Sequence, residues 1–163
     1  MREPPAVGYT RTSLLATLVR FHQIPREPPM TVTVISTDKA PAAVGPYSQA
    51  IRVAHMFPAG EGNIIYSSGQ VGLDPATGKL VTGGIEAETR QAFANLAAVV
   101  EEAGASLGNA LKLTLFLTDL ADFSKVNAIM KELVPEPFPA RSTIGVASLP
   151  LGASFEVEGI FAA

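Results

Sequence analysis

Apolar and polar positions along this chain change period several times, and each change marks a predicted element. Over 31–36 the residues are β-branched and extended, which predicts a first strand. A stretch rich in Pro and Gly follows, Ala40-Pro41 and then Gly45-Pro46-Tyr47-Ser48-Gln49. Two further strands are predicted over 50–53 and 63–67, joined through a breaker-rich connection that puts His55 in a loop. Ser68-Gly69-Gln70-Val71-Gly72 leads to a turn at Asp74-Pro75-Ala76-Thr77-Gly78-Lys79.

The period then lengthens. Thr89, Phe93, Leu96, Val100 and Ala103 form one stripe of a helix over 85–103, with Glu86 and Glu88 near its positive end and Gly104 as a stop. Leu111, Leu113, Leu115 and Leu117 alternate with Lys112, Thr114, Phe116 and Thr118, which predicts a strand with one oily face. A second helix over 121–133 carries Phe123, Val126, Ile129, Met130 and Leu133 as its stripe, and Asp119 and Asp122 before it are explained by capping. Two last strands, over 141–148 and 154–161, are joined by Leu149-Pro150-Leu151-Gly152. The order β, β, β, α, β, α, β, β predicts an α+β domain. Two helices cover one face of a mixed five- or six-stranded sheet, and because several strands are apolar on both faces, a partner chain is expected on the other.

Composition narrows the classes. A hydrophobic share of 47% against 17% charge suits a compact folded domain in 163 residues. No cysteine is present, so there is no disulfide frame, thiolate nucleophile or cysteine metal site, and a cytoplasmic location is favoured. The net charge of −3 divides unevenly: residues 1–29 hold four Arg and two Glu, whereas 30–163 hold 8 basic and 13 acidic residues. An acidic body argues against nucleic acid. No run approaches the about 18 apolar residues of a membrane span. Residues 1–29, with five prolines, read as a disordered extension, and 30–163 as the domain.

Chemistry has few carriers. His22 and His55 lack metal or triad spacing, and no Gly-x-Ser-x-Gly elbow offers a nucleophile. Gly69 and Gly72 allow backbone approach to a ligand, but a lone Gly-x-x-Gly is weak evidence and a tight turn is the default reading. Asn127, mid-helix, reaches a backbone group or serves a site. The strongest signal is Arg141, opening an apolar strand, with Glu156 and Glu158 in the next. A charge removed from water needs a partner. That partner is either Glu156, in an internal salt bridge, or the carboxylate of a ligand matched to the guanidinium fork. If the two strands are antiparallel neighbours, Arg141 and Thr143 face the same cleft as Glu156.

These residues resemble the RidA (YjgF) family of reactive-intermediate deaminases. The matching elements, in order, are Ala40-Pro41 with Gly45-Pro46-Tyr47-Ser48-Gln49, Ser68-Gly69-Gln70, Asp119-Leu120 with Asp122-Phe123 and Val126-Asn127-Ala128, Pro139-Ala140-Arg141-Ser142, Leu149-Pro150, and Glu156-Val157-Glu158. The resemblance implies a chorismate-mutase-like subunit, a homotrimer with sites between subunits, and hydrolysis of 2-imino acids or their enamine tautomers to 2-oxo acids and ammonia. It implies Arg141 as the clamp on the substrate carboxylate and Glu156 as the holder of the attacking water. Gly69 resembles a backbone contact, Tyr47 a cleft-lining aromatic and Asn127 a polar neighbour, while Thr143 stands where many members have cysteine. No cofactor or metal is implied. An endoribonuclease or translation inhibitor, and a non-catalytic organic-acid-binding module, are the alternatives.

Overall fold

The structure, a computed structural model, describes residues 31–57 and 60–163; the extension predicted over 1–29 lies outside them. Seven strands form one sheet: β1 (Thr31–Ile35), β2 (Ala50–Phe57), β3 (Gly60–Ser67), β4 (Gln70–Val71), β5 (Ala110–Leu117), β6 (Ala140–Gly145) and β7 (Phe155–Ala162). Helix α1 (Gly84–Glu102) lies between β4 and β5 in sequence, and α2 (Phe123–Leu133) between β5 and β6. The spatial order is β1-β2-β3-β7-β5-β6, with β4 also paired to β7. Only β5 and β6 run parallel, joined through α2; the other pairs are antiparallel.

Two expectations about strands need correction. The sheet has seven strands, not five or six, because the chain leaves β7 at Ser68-Gly69 and rejoins it: β3 pairs through Ile64–Tyr66 and β4 through Gln70 and Val71. A two-residue strand is too short to leave a periodic signal. His55 lies within β2, opposite Gly62, because the β2–β3 ladder continues to Phe57 and Gly60. Gly60 and Gly62 of the predicted connection lie in β3, paired with Phe57 and His55.

The helix face of the sheet is the core. Leu113, Leu115 and Leu117 of β5 and Phe155, Val157 and Phe161 of β7 are fully buried there, against Phe93, Leu96, Val99 and Val100 of α1 and Val126 and Met130 of α2. The whole predicted α1 stripe is buried, Thr89 and Ala103 included. Gly104, at φ 90°, donates to Glu101 O and ends the helix as expected. Leu111 departs from the predicted oily face because the β5–β7 register shifts between Ala110 and Lys112. The opposite face carries Val32, Val34, Ile51, Val53, Ile64, Tyr66, Ile160, Phe116 and Ile144 by register. Of these Val34 is 64% and Tyr66 50% exposed, so an apolar sheet face stands open on the single chain. Among the described residues no helix is long and apolar enough to cross a membrane.

Candidate functional site

Register decides where the two key charges point. In the β5–β6 pair Arg141 lies opposite Leu113 and Thr143 opposite Leu115, on the helix face. In the β5–β7 pair Glu156 lies opposite Phe116, on the other face. β5 separates the two strands, so the expected antiparallel neighbours are not neighbours, and within one chain Arg141 and Thr143 do not share a cleft with Glu156. The reason is topological: α2 carries the chain across from β5 to a parallel β6 at the sheet edge, and β7 then returns on the far side of β5.

The Arg141 half is built by α2. Arg141 Nη1 donates to Asn127 Oδ1 at 2.7 Å and approaches Met130 Sδ at 3.5 Å. Its guanidinium carbon lies 5.3 Å from the centre of the Phe123 ring. Phe123, Asn127 and Met130 are spaced four and three residues apart, so they form one stripe of the helix. That stripe explains why Phe123 is 40% exposed instead of joining the core. Asn127 bonds the arginine rather than a backbone group. Neither ion pair among the described residues, Arg90–Glu132 or Lys125–Asp122, involves Arg141, and its Nε and Nη2 make no hydrogen bond there. The internal Arg141–Glu156 salt bridge is therefore absent. A cavity of about 350 Å³ adjoins the guanidinium, lined also by Asn127, Met130, Lys131, Phe138 and Pro139. Among the described residues Thr143 Oγ1 is the one buried side-chain polar atom without a hydrogen-bond partner.

The Glu156 half forms on the other face, in a cavity of about 310 Å³ that also touches Tyr47, Gly69, Val71 and Leu151. Burial, and secondarily Glu158, pushes the Glu156 carboxyl above its ordinary pKa. Gly69 and Gly72 are required by close approach, not by a turn as expected. A Cβ on Gly69 would overlap Glu156 Oε1 and lie 2.7 Å from its Cδ, and one on Gly72 would lie 2.7 Å from Glu88 Cα. Tyr47 accepts from Val44 N through its hydroxyl at 3.1 Å. Gln49, buried, ties the preceding loop down: it accepts from Thr37 N and donates to Thr37 O and Pro41 O.

The expectation of one cleft holding Arg141, Asn127, Thr143, Glu156, Tyr47 and Gly69 thus divides in the structure, with Asn127 beside Arg141 and with Tyr47 and Gly69 beside Glu156, and Phe123, Met130 and Leu151 join as neighbours that the expectation did not include. The helical spacing of Phe123, Asn127 and Met130 was the available signal for the first two. Asp119 caps as expected, accepting from Ala121 N at 2.8 Å, whereas Asp122 accepts from Lys125. Among the described residues no group of three or more His, Asp or Glu side chains is placed to hold a metal ion.

Residues 37–163 match the model of the family described as Endoribonuclease L-PSP. A 2-iminobutanoate/2-iminopropanoate deaminase of Dermatophagoides farinae is 46% identical over 127 residues, 78% of this chain and 93% of that protein. The crystal structure of RidA from an Antarctic Psychrobacter is 43% identical with a TM-score of 0.70, over 80% of this chain and 99% of that one. That of Escherichia coli TdcF with bound serine is 32% identical with a TM-score of 0.69, over 80% and 98%. With the family model spanning most of the chain and the relatives matched over nearly their full length, the protein belongs to the Endoribonuclease L-PSP family, the family of RidA.

Proposed function

We propose that this protein hydrolyses reactive 2-imino acids, and the enamines that tautomerise to them, to 2-oxo acids and ammonia. The observation that carries the reading is the Arg141 guanidinium, held through Nη1 while its Nε and Nη2 donors find no partner among the described residues and stand beside a cavity. An unpaired fork of this kind fits a carboxylate in a bidentate pair. The matched deaminase names supply the rest of the substrate, and the bound serine of TdcF is itself an amino acid with a carboxylate.

The chemistry asks for little beyond positioning. Water held by Glu156 adds its oxygen to C2 of the imine, and its proton passes to the carboxylate; the C=N bond becomes C–N. The carboxyl passes that proton to nitrogen, then takes the proton of the newly formed hydroxyl and passes it on likewise, so that the C–N bond breaks and the carbonyl forms as ammonia leaves. A carboxyl whose pKa is raised is suited to taking that proton and giving it back. In this reading Gly69 contributes a backbone contact, Tyr47 lines the cleft, Asn127 aims the arginine, and the unpartnered Thr143 hydroxyl meets substrate.

The two halves of the site require a neighbour. We infer a chorismate-mutase-like subunit in a cyclic homotrimer, with Arg141 of one subunit facing Glu156 of the next. The open apolar sheet face supports this, because such a face is covered when subunits pack. The acidic body opposes binding to RNA, the substrate that the family description names.

The test is release of ammonia and 2-oxobutanoate from 2-iminobutanoate generated in situ. Arg141→Ala is expected to lower kcat/KM by about 100-fold, the loss of one bidentate charged pair. Wild-type turnover no faster than buffer, or full activity in the variant, would refute the reading. Saturable binding of 2-oxobutanoate without turnover would leave a binding module, and cleavage of single-stranded RNA that Arg141→Ala abolishes would restore the ribonuclease reading.

A further inference from the structure

Among the described residues Leu151 is the one non-glycine residue with positive φ, at φ 58° and ψ 17° in the short turn Pro150–Gly152. Its side chain is 68% exposed, and it lines the Glu156 cavity together with Val44, itself 81% exposed. Two costs coincide at this residue. A branched side chain is held in the left-handed region that favours glycine, and a large apolar surface is left in water. Glycine would remove both, and Gly152, at φ 76°, already occupies the same region one residue later. The stability of the single chain supplies no reason for leucine here.

Something that enters the cavity does. Val44, Leu73, Pro41 and Pro150 continue the apolar wall, and among the described residues Glu156 is the one charged residue on the lining. We propose that Leu151, with Val44, forms the subsite for the substrate side chain, and that it selects 2-imino acids with branched or long apolar side chains. Acidic side chains are rejected, because the apolar wall offers them no donor and the arginine that completes the site is already paired with the substrate's own carboxylate. This inference rests on the deaminase reading and adds the substrate class to it.

The experiment compares kcat/KM for the imines of leucine, alanine and glutamate, generated in situ, on wild type and Leu151→Gly. Wild type is expected to favour the leucine imine over the alanine imine, and to handle the glutamate imine least. In Leu151→Gly the leucine-to-alanine ratio falls about tenfold, the scale of losing an apolar side-chain contact. Its melting temperature is expected to equal or exceed that of wild type, and its assembled mass to be unchanged. An unaltered ratio, or a changed assembled mass, which would make Leu151 an interface residue, overturns the subsite. Hydrolysis of the alanine imine with no preference for the leucine imine overturns the subsite alone. Absence of all imine hydrolysis removes the deaminase reading and the subsite with it.

Discussion

Glu156 is half-buried beside Glu158, and both circumstances keep its proton on, so its pKa lies above the ordinary 4.5. A carboxyl with a raised folded-state pKa binds protons more tightly in the folded chain than in the unfolded one. Its contribution to stability is complete below the ordinary value and is lost as pH rises through the folded value. Glu156→Gln, which never ionises, is therefore expected to melt higher than wild type at pH 7 while losing deaminase activity. The gap should close below about pH 4, where the wild-type carboxyl is protonated in both states. Thermal melts of the two proteins across that range check it, and a gap that persists at pH 3 would assign the effect to packing. At this scale the sequence exposed Arg141 and Glu156 because charge inside an apolar strand needs a reason. It hid the reason for Gly69, since the carboxyl that fills the space of its missing Cβ lies 87 positions along the chain.

Helix α1 shows what an element contributes beyond its stripe. Glu88 was read as a partner for the helix dipole, and the structure buries it instead: Oε2 accepts from Ser154 N at 2.7 Å and Oε1 from Ser154 Oγ at 3.2 Å. Two turns further, Asn95 donates to Val71 O and Leu73 O. The helix thereby anchors both the entry to β7, which carries Glu156, and the chain around β4. Glu88→Ala would leave the Ser154 amide unpaired beside the core and is expected to cost about 2 kcal/mol. Glu88→Gln should recover part of that loss, because one amide oxygen can still accept. Urea unfolding at a fixed protein concentration measures both variants, and equal stability for Glu88→Ala would show that the bond is not holding β7. Periodicity revealed the α1 stripe because the 3.6-residue repeat is local; buried polar anchors depart from that repeat and take their meaning from strands distant in sequence.

At the scale of the molecule, two half-sites on opposite faces make a direct demand on assembly. Arg141→Ala and Glu156→Gln, each inactive alone, are expected to regain activity when co-expressed with different tags and purified through both. In a cyclic trimer of mixed composition one site pairs an intact Arg141 with an intact Glu156, so about a third of wild-type activity should return. No recovery would mean that the site is completed within one chain. The hydrophobic pattern was sufficient to determine the α+β class, the two helices, and the buried faces of α1 and β5, because each depends on residues within a few positions of one another. Strand order, the second pairing of the chain with β7 at β4, and the opposite facing of Arg141 and Glu156 were decided by tertiary structure alone. They depend on which strands meet across the sheet, and antiparallel or parallel pairing over such distances leaves no periodic trace along the chain.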